Sequence, residues 1–277
     1  MTPKKQNPTS EEQTSYGAKL AQVIVLYQQC VAGNKQALNE ADEALERLRD
    51  EYPDRPLADA YHGGIMILKA RDKRNPLLKL RSVRKGLKLL DNAVAAAPQD
   101  LTIRLLRGKA AYHLPEEHFR RTTAAIEDYH MLLQNEDELK KRVSPEGVPQ
   151  LIDELGDAYF RVGRNLDAAN CWRRLEQQTE YPAYQQLART KLKSVEGKPP
   201  VEQVKRTTDV SASSILIGLA AGVTGNVIMN MTGIGWNSSN SRRSQGSNSK
   251  SNSRSNSKSS NKGEAGRRRG NGDRKRR

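Results

Sequence analysis

Proline recurs along the first two thirds of this chain at intervals that a helix would fill. Pro53, Pro56, Pro76, Pro98, Pro115 and Pro182 each exclude a helix interior, because proline has no N–H and its ring collides with the carbonyl one turn back. Between them apolar residues return at three- and four-residue steps, as Leu20, Val23, Ile24 and Tyr27 do. That period lays one apolar stripe along a helix, whereas a half-buried strand needs a period of two. No segment alternates in that way. Thr9 precedes Glu12 at the spacing of a capping box, a helix-start signal. The expected fold class is all-α, helix after helix over residues 9–195, behind a polar leader at 1–8.

One unit inside this zone is sharply drawn. Ile152, Leu155, Gly156 and Tyr159 are followed by Gly163, then by Ala168 and Trp172. Small residues at 156 and 168 suit two antiparallel helices that cross closely, and Tyr159 and Trp172 fill the space beside the crossing. Gly163 permits the tight turn between them. The pattern resembles the tetratricopeptide repeat (TPR), with Ile152 in the place of the family's tryptophan. Three looser units precede it. Ala41, Leu45, Leu48 and Pro53 keep the spacing of a second helix, and Gly86, Leu90, Ala93 and Pro98 repeat it, with Gly64 expected as the small residue of the preceding helix. Gly108, Ala125, Tyr129 and Leu132 form the third. Against the ~34-residue family period, the second unit carries roughly ten extra residues around Lys73–Arg81 and the third about five around Leu114–Arg120.

The resemblance covers residues 17–181. It implies antiparallel helix pairs stacked as a short, irregular TPR-like solenoid, since one pair alone cannot bury its apolar face. It also implies a protein or peptide partner on the concave surface made by the first helices. On that reading Tyr61, Ile65, Lys69, Lys109, Tyr112, Asp157 and Arg161 are the protein-binding residues. The function expected is a non-enzymatic protein–protein interaction scaffold.

Nothing in the sequence argues for catalysis. His62, His113, His118 and His130 form no metal motif, and no nucleophile elbow or phosphate-cradling loop is present. No cofactor, metal or small-molecule substrate is expected. Cys30 and Cys171 stand far apart, too few for a disulfide framework or a metal cluster, and read as small apolar residues in a reducing compartment. The first residues carry no apolar run, so no signal peptide is expected.

Charge is concentrated. The chain carries a formal +15. Residues 241–277 hold thirteen Lys and Arg against Glu264 and Asp273, a formal +11. Ser, Asn and Gly make up most of the remainder of 237–277, which reads as a disordered basic tail unable to offset the entropy of ordering. Its density of cations suits polyanions, either nucleic acid or anionic lipid. The expected polyanion-binding residues are Arg242, Arg243, Arg267, Arg268, Arg269, Arg274, Lys275, Arg276 and Arg277. A nucleic-acid-associated protein is thus the alternative function. A second basic stretch runs from Lys69 to Lys88 with only Asp72 opposing it. Leu77, Leu78, Leu80, Val83, Leu87 and Leu90 interleave there and are expected as its apolar face. The readings open for it are a solvated face of a core helix or a surface for an acidic partner.

Residues 196–209 form a linker opened by Gly197, Pro199 and Pro200. Beyond it, residues 210–236 are apolar, Gly-rich and uncharged. Ile215 to Trp236 is long enough to span a bilayer, and Gly218 and Gly222 have the spacing of close membrane helices. Asn226 and Asn230 oppose simple insertion. A basic tail is retained in the cytosol, and so is a repeat domain without an export signal. A hairpin or surface-lying segment, a single span, and an apolar segment packed on protein all remain open. The expected location is the cytoplasm, free or at the cytoplasmic face of a membrane.

Overall fold

The computed structural model describes residues 9–203. They belong to the first of two units into which the chain divides, Met1–Ser238; the second is Ser239–Arg277. The leader at 1–8, the end of the linker, the apolar segment at 210–236 and the basic tail at 237–277 lie outside the described residues.

Eleven helices and no strand occur among the described residues: α1 (Ser10–Val31), α2 (Lys35–Glu51), α3 (Pro56–Arg71), α4 (Pro76–Ala96), α5 (Leu101–His113), α6 (Glu116–Phe119), α7 (Thr122–Gln134), α8 (Glu136–Lys140), α9 (Gly147–Arg161), α10 (Asn165–Glu176) and α11 (Pro182–Lys193). Local chemistry sets their starts. The Thr9 hydroxyl accepts from the Glu12 N–H at 3.3 Å. Asn34, Asn75 and Asp100 each accept from two backbone N–H groups of the first turns of α2, α4 and α5. These bonds satisfy donors that a helix end leaves unpaired. Pro56, Pro76 and Pro182 open α3, α4 and α11, where a missing N–H removes no intrahelical bond.

Of the extra residues around Lys73–Arg81, those from Pro76 onward lengthen α4, which runs 21 residues, and Lys73, Arg74 and Asn75 stand in the connection before it. Those around Leu114–Arg120 form the single turn α6, and Arg120, at φ 51°, closes it in the left-handed region.

Packing follows chain order. α1 packs on α2, α2 on α3, α3 on α4 and α4 on α5; then α5 on α7, α7 on α9, α9 on α10 and α10 on α11. Contacts also join α1 to α3, α3 to α5 and α9 to α11. Two apolar clusters result. The first gathers α1 to α4 and the Ile103, Leu106, Ala110 side of α5. The second gathers the Leu101, Leu105, Ala111, Tyr112 side of α5 with α7, α9, α10 and Ala188 of α11. α5 therefore divides its faces between two cores, and all its residues except His113 are buried.

Three helix pairs meet at a glycine of the first helix. In α3 and α4 the glycines face each other: a Cβ on Gly63 would lie 2.6 Å from the Gly86 carbonyl oxygen, and one on Gly86 would lie 2.5 Å from that of Gly63. In α5 and α7 the ring of Tyr129 fills the space above Gly108, and in α9 and α10 the indole of Trp172 fills that above Gly156. Trp172 is fully buried. Gly163, at φ 76°, makes the turn from α9 to α10. The small residue of the α3–α4 crossing is Gly63 and not Gly64. Gly64 faces α1 instead, beneath the ring of Tyr27, because neighbouring helical positions point about a quarter-turn apart.

The interleaved leucines of α4 divide as well. Val83, Leu87 and Leu90 are buried, but Leu77 and Leu78 are exposed and Lys79 is buried beside them. The expected apolar face thus begins one turn later than the leucine pattern suggests. At the other end, the linker returns to the α9–α10 turn. The Leu166 N–H donates to the Pro200 carbonyl at 3.1 Å, and the Glu202 N–H to that of Gly163 at 2.8 Å. α10 has no side-chain cap, and the linker carbonyl serves in its place.

Candidate functional site

The described residues hold their most concentrated chemistry on and around α5. Because this helix is buried on every side, its cations are brought inside with it. Arg104 and Arg107, one turn apart, reach α7. Arg107 donates to both oxygens of Asp128, at 2.7 Å each, and Arg104 Nη1 donates to Asp128 Oδ1 at 2.8 Å and to Glu127 Oε1 at 2.6 Å. Burial lifts the Asp128 carboxyl above its ordinary value, against the opposing pull of Arg107 and Arg104. Burial also works against the charge of Arg107, but its bonds to Asp128 prevail and hold the guanidinium above its usual range.

On its other side α5 reaches α9. Lys109 Nζ donates to Glu154 Oε1 at 2.6 Å, and both side chains are almost wholly enclosed. The Tyr129 hydroxyl donates to Glu154 Oε2 at 2.6 Å. Burial lowers the Lys109 ammonium despite the adjacent Glu154. One turn on, the Tyr112 hydroxyl donates to Asp157 Oδ2 at 2.9 Å. Arg161 lies over the Tyr112 ring at 4.2 Å and donates to the Tyr112 carbonyl at 2.6 Å, which satisfies an acceptor at the end of α5. Lys191 of α11 spans Asp153 and Asp157, at 2.7 Å from each. Burial pushes the Asp153 carboxyl up to about 6 and holds the His113 imidazole down at about 4.

A smaller polar group joins α2 and α3. Asp42 accepts from His62 Nε2 at 3.2 Å and Lys69 Nζ at 2.5 Å. Arg49 donates to His62 Nδ1 at 2.9 Å, so the ring proton stands on Nε2. Burial alone would raise the Asp42 carboxyl, but the His62 and Lys69 bonds lower it.

Of the residues expected to bind a partner, Lys109, Tyr112, Asp157 and Arg161 come together along α5 and α9, with Lys109 buried and Arg161 exposed. Tyr61 and Ile65 stand apart on α3 and are wholly enclosed in the first core. Lys69 is half-buried, on Asp42. The nine basic residues expected to bind polyanions lie outside the described residues. Sequence reading missed Asp128, Glu154, Asp153 and Lys191. A signal for Asp128 was present: it falls at core spacing among Ala125, Tyr129 and Leu132. No group of three or more His, Cys, Asp and Glu among the described residues could hold a metal ion. No helix among them is long and apolar enough to cross a membrane. Burial pushes the Cys30 thiol up to about 11 and that of Cys171 to about 12, so neither is a ready nucleophile at neutral pH.

No protein family, curated protein or solved structure matches the chain.

Proposed function

We propose that this chain is a non-enzymatic scaffold that holds a protein or peptide partner on TPR-like helix pairs. The observation that carries the reading is the glycine of the first helix at three successive crossings, Gly63, Gly108 and Gly156. A crossing repeated along a chain builds a ladder of similar first helices, and such ladders are used as extended binding surfaces. Asp157 and Arg161 on α9, with Lys191 beside them, supply charges that an extended peptide can meet along one line. The uncharged apolar segment at 210–236 would tether the scaffold at the cytoplasmic face of a membrane.

A photo-crosslinker at Arg161, in the full chain, tests this. Protein adducts that survive nuclease treatment and are absent when the crosslinker stands at Glu43 of α2 are expected. The alternative, a nucleic-acid-associated protein, draws on the +11 of residues 241–277. It predicts that the captured material is RNA or DNA, is released by salt and is lost with the tail. Capture of nucleic acid alone would replace the scaffold reading.

A further inference from the structure

The outward face of α4 carries leucines and cations that the packing of the helix does not use. The inward face is fully employed: Val83, Gly86, Leu87 and Leu90 are buried against α3 and the first core. Outward, Leu77 is 62% exposed and Leu78 is 51% exposed. Arg74, Arg81, Arg84, Lys85 and Lys88 are exposed as well. Residues 74, 77, 81, 84 and 88 follow three- and four-residue steps, so they share one stripe of the helix and its entry. None of the five cations forms an ion pair among the described residues. Asp72, the one carboxylate between Lys69 and Lys88, faces Arg71 at 3.5 Å and Lys35 at 4.0 Å. Two large apolar side chains thus stand in water at the first turn of a helix, beside a line of unneutralised positive charge.

We propose that this face of α4 is a docking surface for an anionic lipid bilayer. The two features together select the partner. Leucines gain free energy on leaving water for the acyl boundary, and the flanking cations gain it from anionic headgroups while their stems lie along the apolar layer. Nucleic acid would meet the cations but offers no apolar layer to Leu77 and Leu78, and the stretch from Lys69 to Lys88 has no aromatic ring on which a base could stack. The chain's own apolar segment is a poor occupant on charge. Lys205 and Arg206 precede it and Arg242 and Arg243 follow it, so its approach would bring cations to cations. The lipid contact is independent of the partner groove: it concerns α4, whereas the groove is read on α5 and α9.

A polarity-sensitive fluorophore on Leu78→Cys, in the full chain with Cys171→Ser, tests it; Cys30 is buried and stays unlabelled. The expected result is a blue shift and shallow quenching by headgroup-proximal nitroxide lipid on phosphatidylcholine vesicles containing phosphatidylglycerol, and neither on phosphatidylcholine alone. Arg81→Gln with Arg84→Gln should move the half-point of that shift about 30-fold toward higher lipid, from about a factor of five per cation at an anionic surface. Three results would overturn the proposal: vesicle binding with no change at residue 78, which assigns the contact to the apolar segment or the tail; a shift with RNA and none with vesicles; or a shift that depends on protein concentration without lipid, which assigns the face to self-association.

Discussion

The two cores of this protein are joined by one helix and built on different terms. Around α3 and α4 contact is backbone to backbone, Gly63 against Gly86, with Tyr27 and Tyr61 edge to face at 5.1 Å. Around α5, α7 and α9 the helices are held through buried charge, with Asp128 between two arginines and Glu154 between Lys109 and Tyr129. The first arrangement is sensitive to volume, since close-packed backbone cannot yield. The second is sensitive to neutralisation, since a buried ion that loses its partner retains the full penalty of desolvation. The comparison teaches that neighbouring parts of one helical body can fail for opposite reasons.

The largest effect expected is that of Asp128→Ala. It removes the one buried carboxylate that Arg104 and Arg107 share, leaves them only the more exposed Glu127 and Asp91, and should cost about 3 kcal/mol in urea denaturation. A loss below about 1 kcal/mol would mean that the arginines turn to solvent, and the contrast between the cores would fail.

Acid titration sharpens the contrast next. The folded His113 imidazole lies below its ordinary value, at about 4, so the unfolded chain takes up a proton first as pH falls. Its contribution is complete above pH ~6.5 and is lost toward pH ~4, by about 3 kcal/mol. The folded Asp153 carboxyl lies above its ordinary value, at about 6, so the unfolded chain releases its proton first as pH rises. Its contribution is complete below pH ~4 and is lost toward pH ~6. The two slopes oppose each other. Stability measured across this window should rise with pH in Asp153→Asn and fall with pH in His113→Asn. Equal slopes in both variants would place the titration elsewhere.

Gly86→Ala should cost about 1–3 kcal/mol, because α3 and α4 must separate to admit the methyl group. A neutral result would show that the first core yields more readily than its backbone contact implies. The smallest effects belong to the caps. Asn34→Ala, at the exposed start of α2, and Asp100→Ala, at the start of the shared helix α5, should each cost about 1 kcal/mol by thermal denaturation. A much larger loss at Asp100 would show that α5 transmits local damage to both cores.

The helical class was legible because its signals are local. Thr9, the proline-led starts of α3, α4 and α11, and the glycine and aromatic residues at 156, 159, 163 and 172 act within a turn or a pair of helices. Two short elements were not legible. α6 and α8 occupy four and five residues, too few to show a period. Within the candidate site, Tyr112, Asp157 and Arg161 were named together, but Lys109 was expected at a surface and is enclosed. The leucine pattern of α4 likewise called for burial at Leu77 and Leu78, which are exposed, while Lys79 beside them holds the place on the buried stripe.

By itself the sequence determined that the chain folds as helices between residues 9 and 195 and where several of them begin, since periodicity, capping and proline geometry operate over a few residues. Only the tertiary structure decided which charges are interior and whom they meet. Lys109 and Glu154 stand 45 residues apart, Arg107 and Asp128 stand 21 apart, and no local preference links such positions. Their pairing arises because α5 is covered on all faces, and a cation enclosed there is stable only beside a carboxylate brought by another helix.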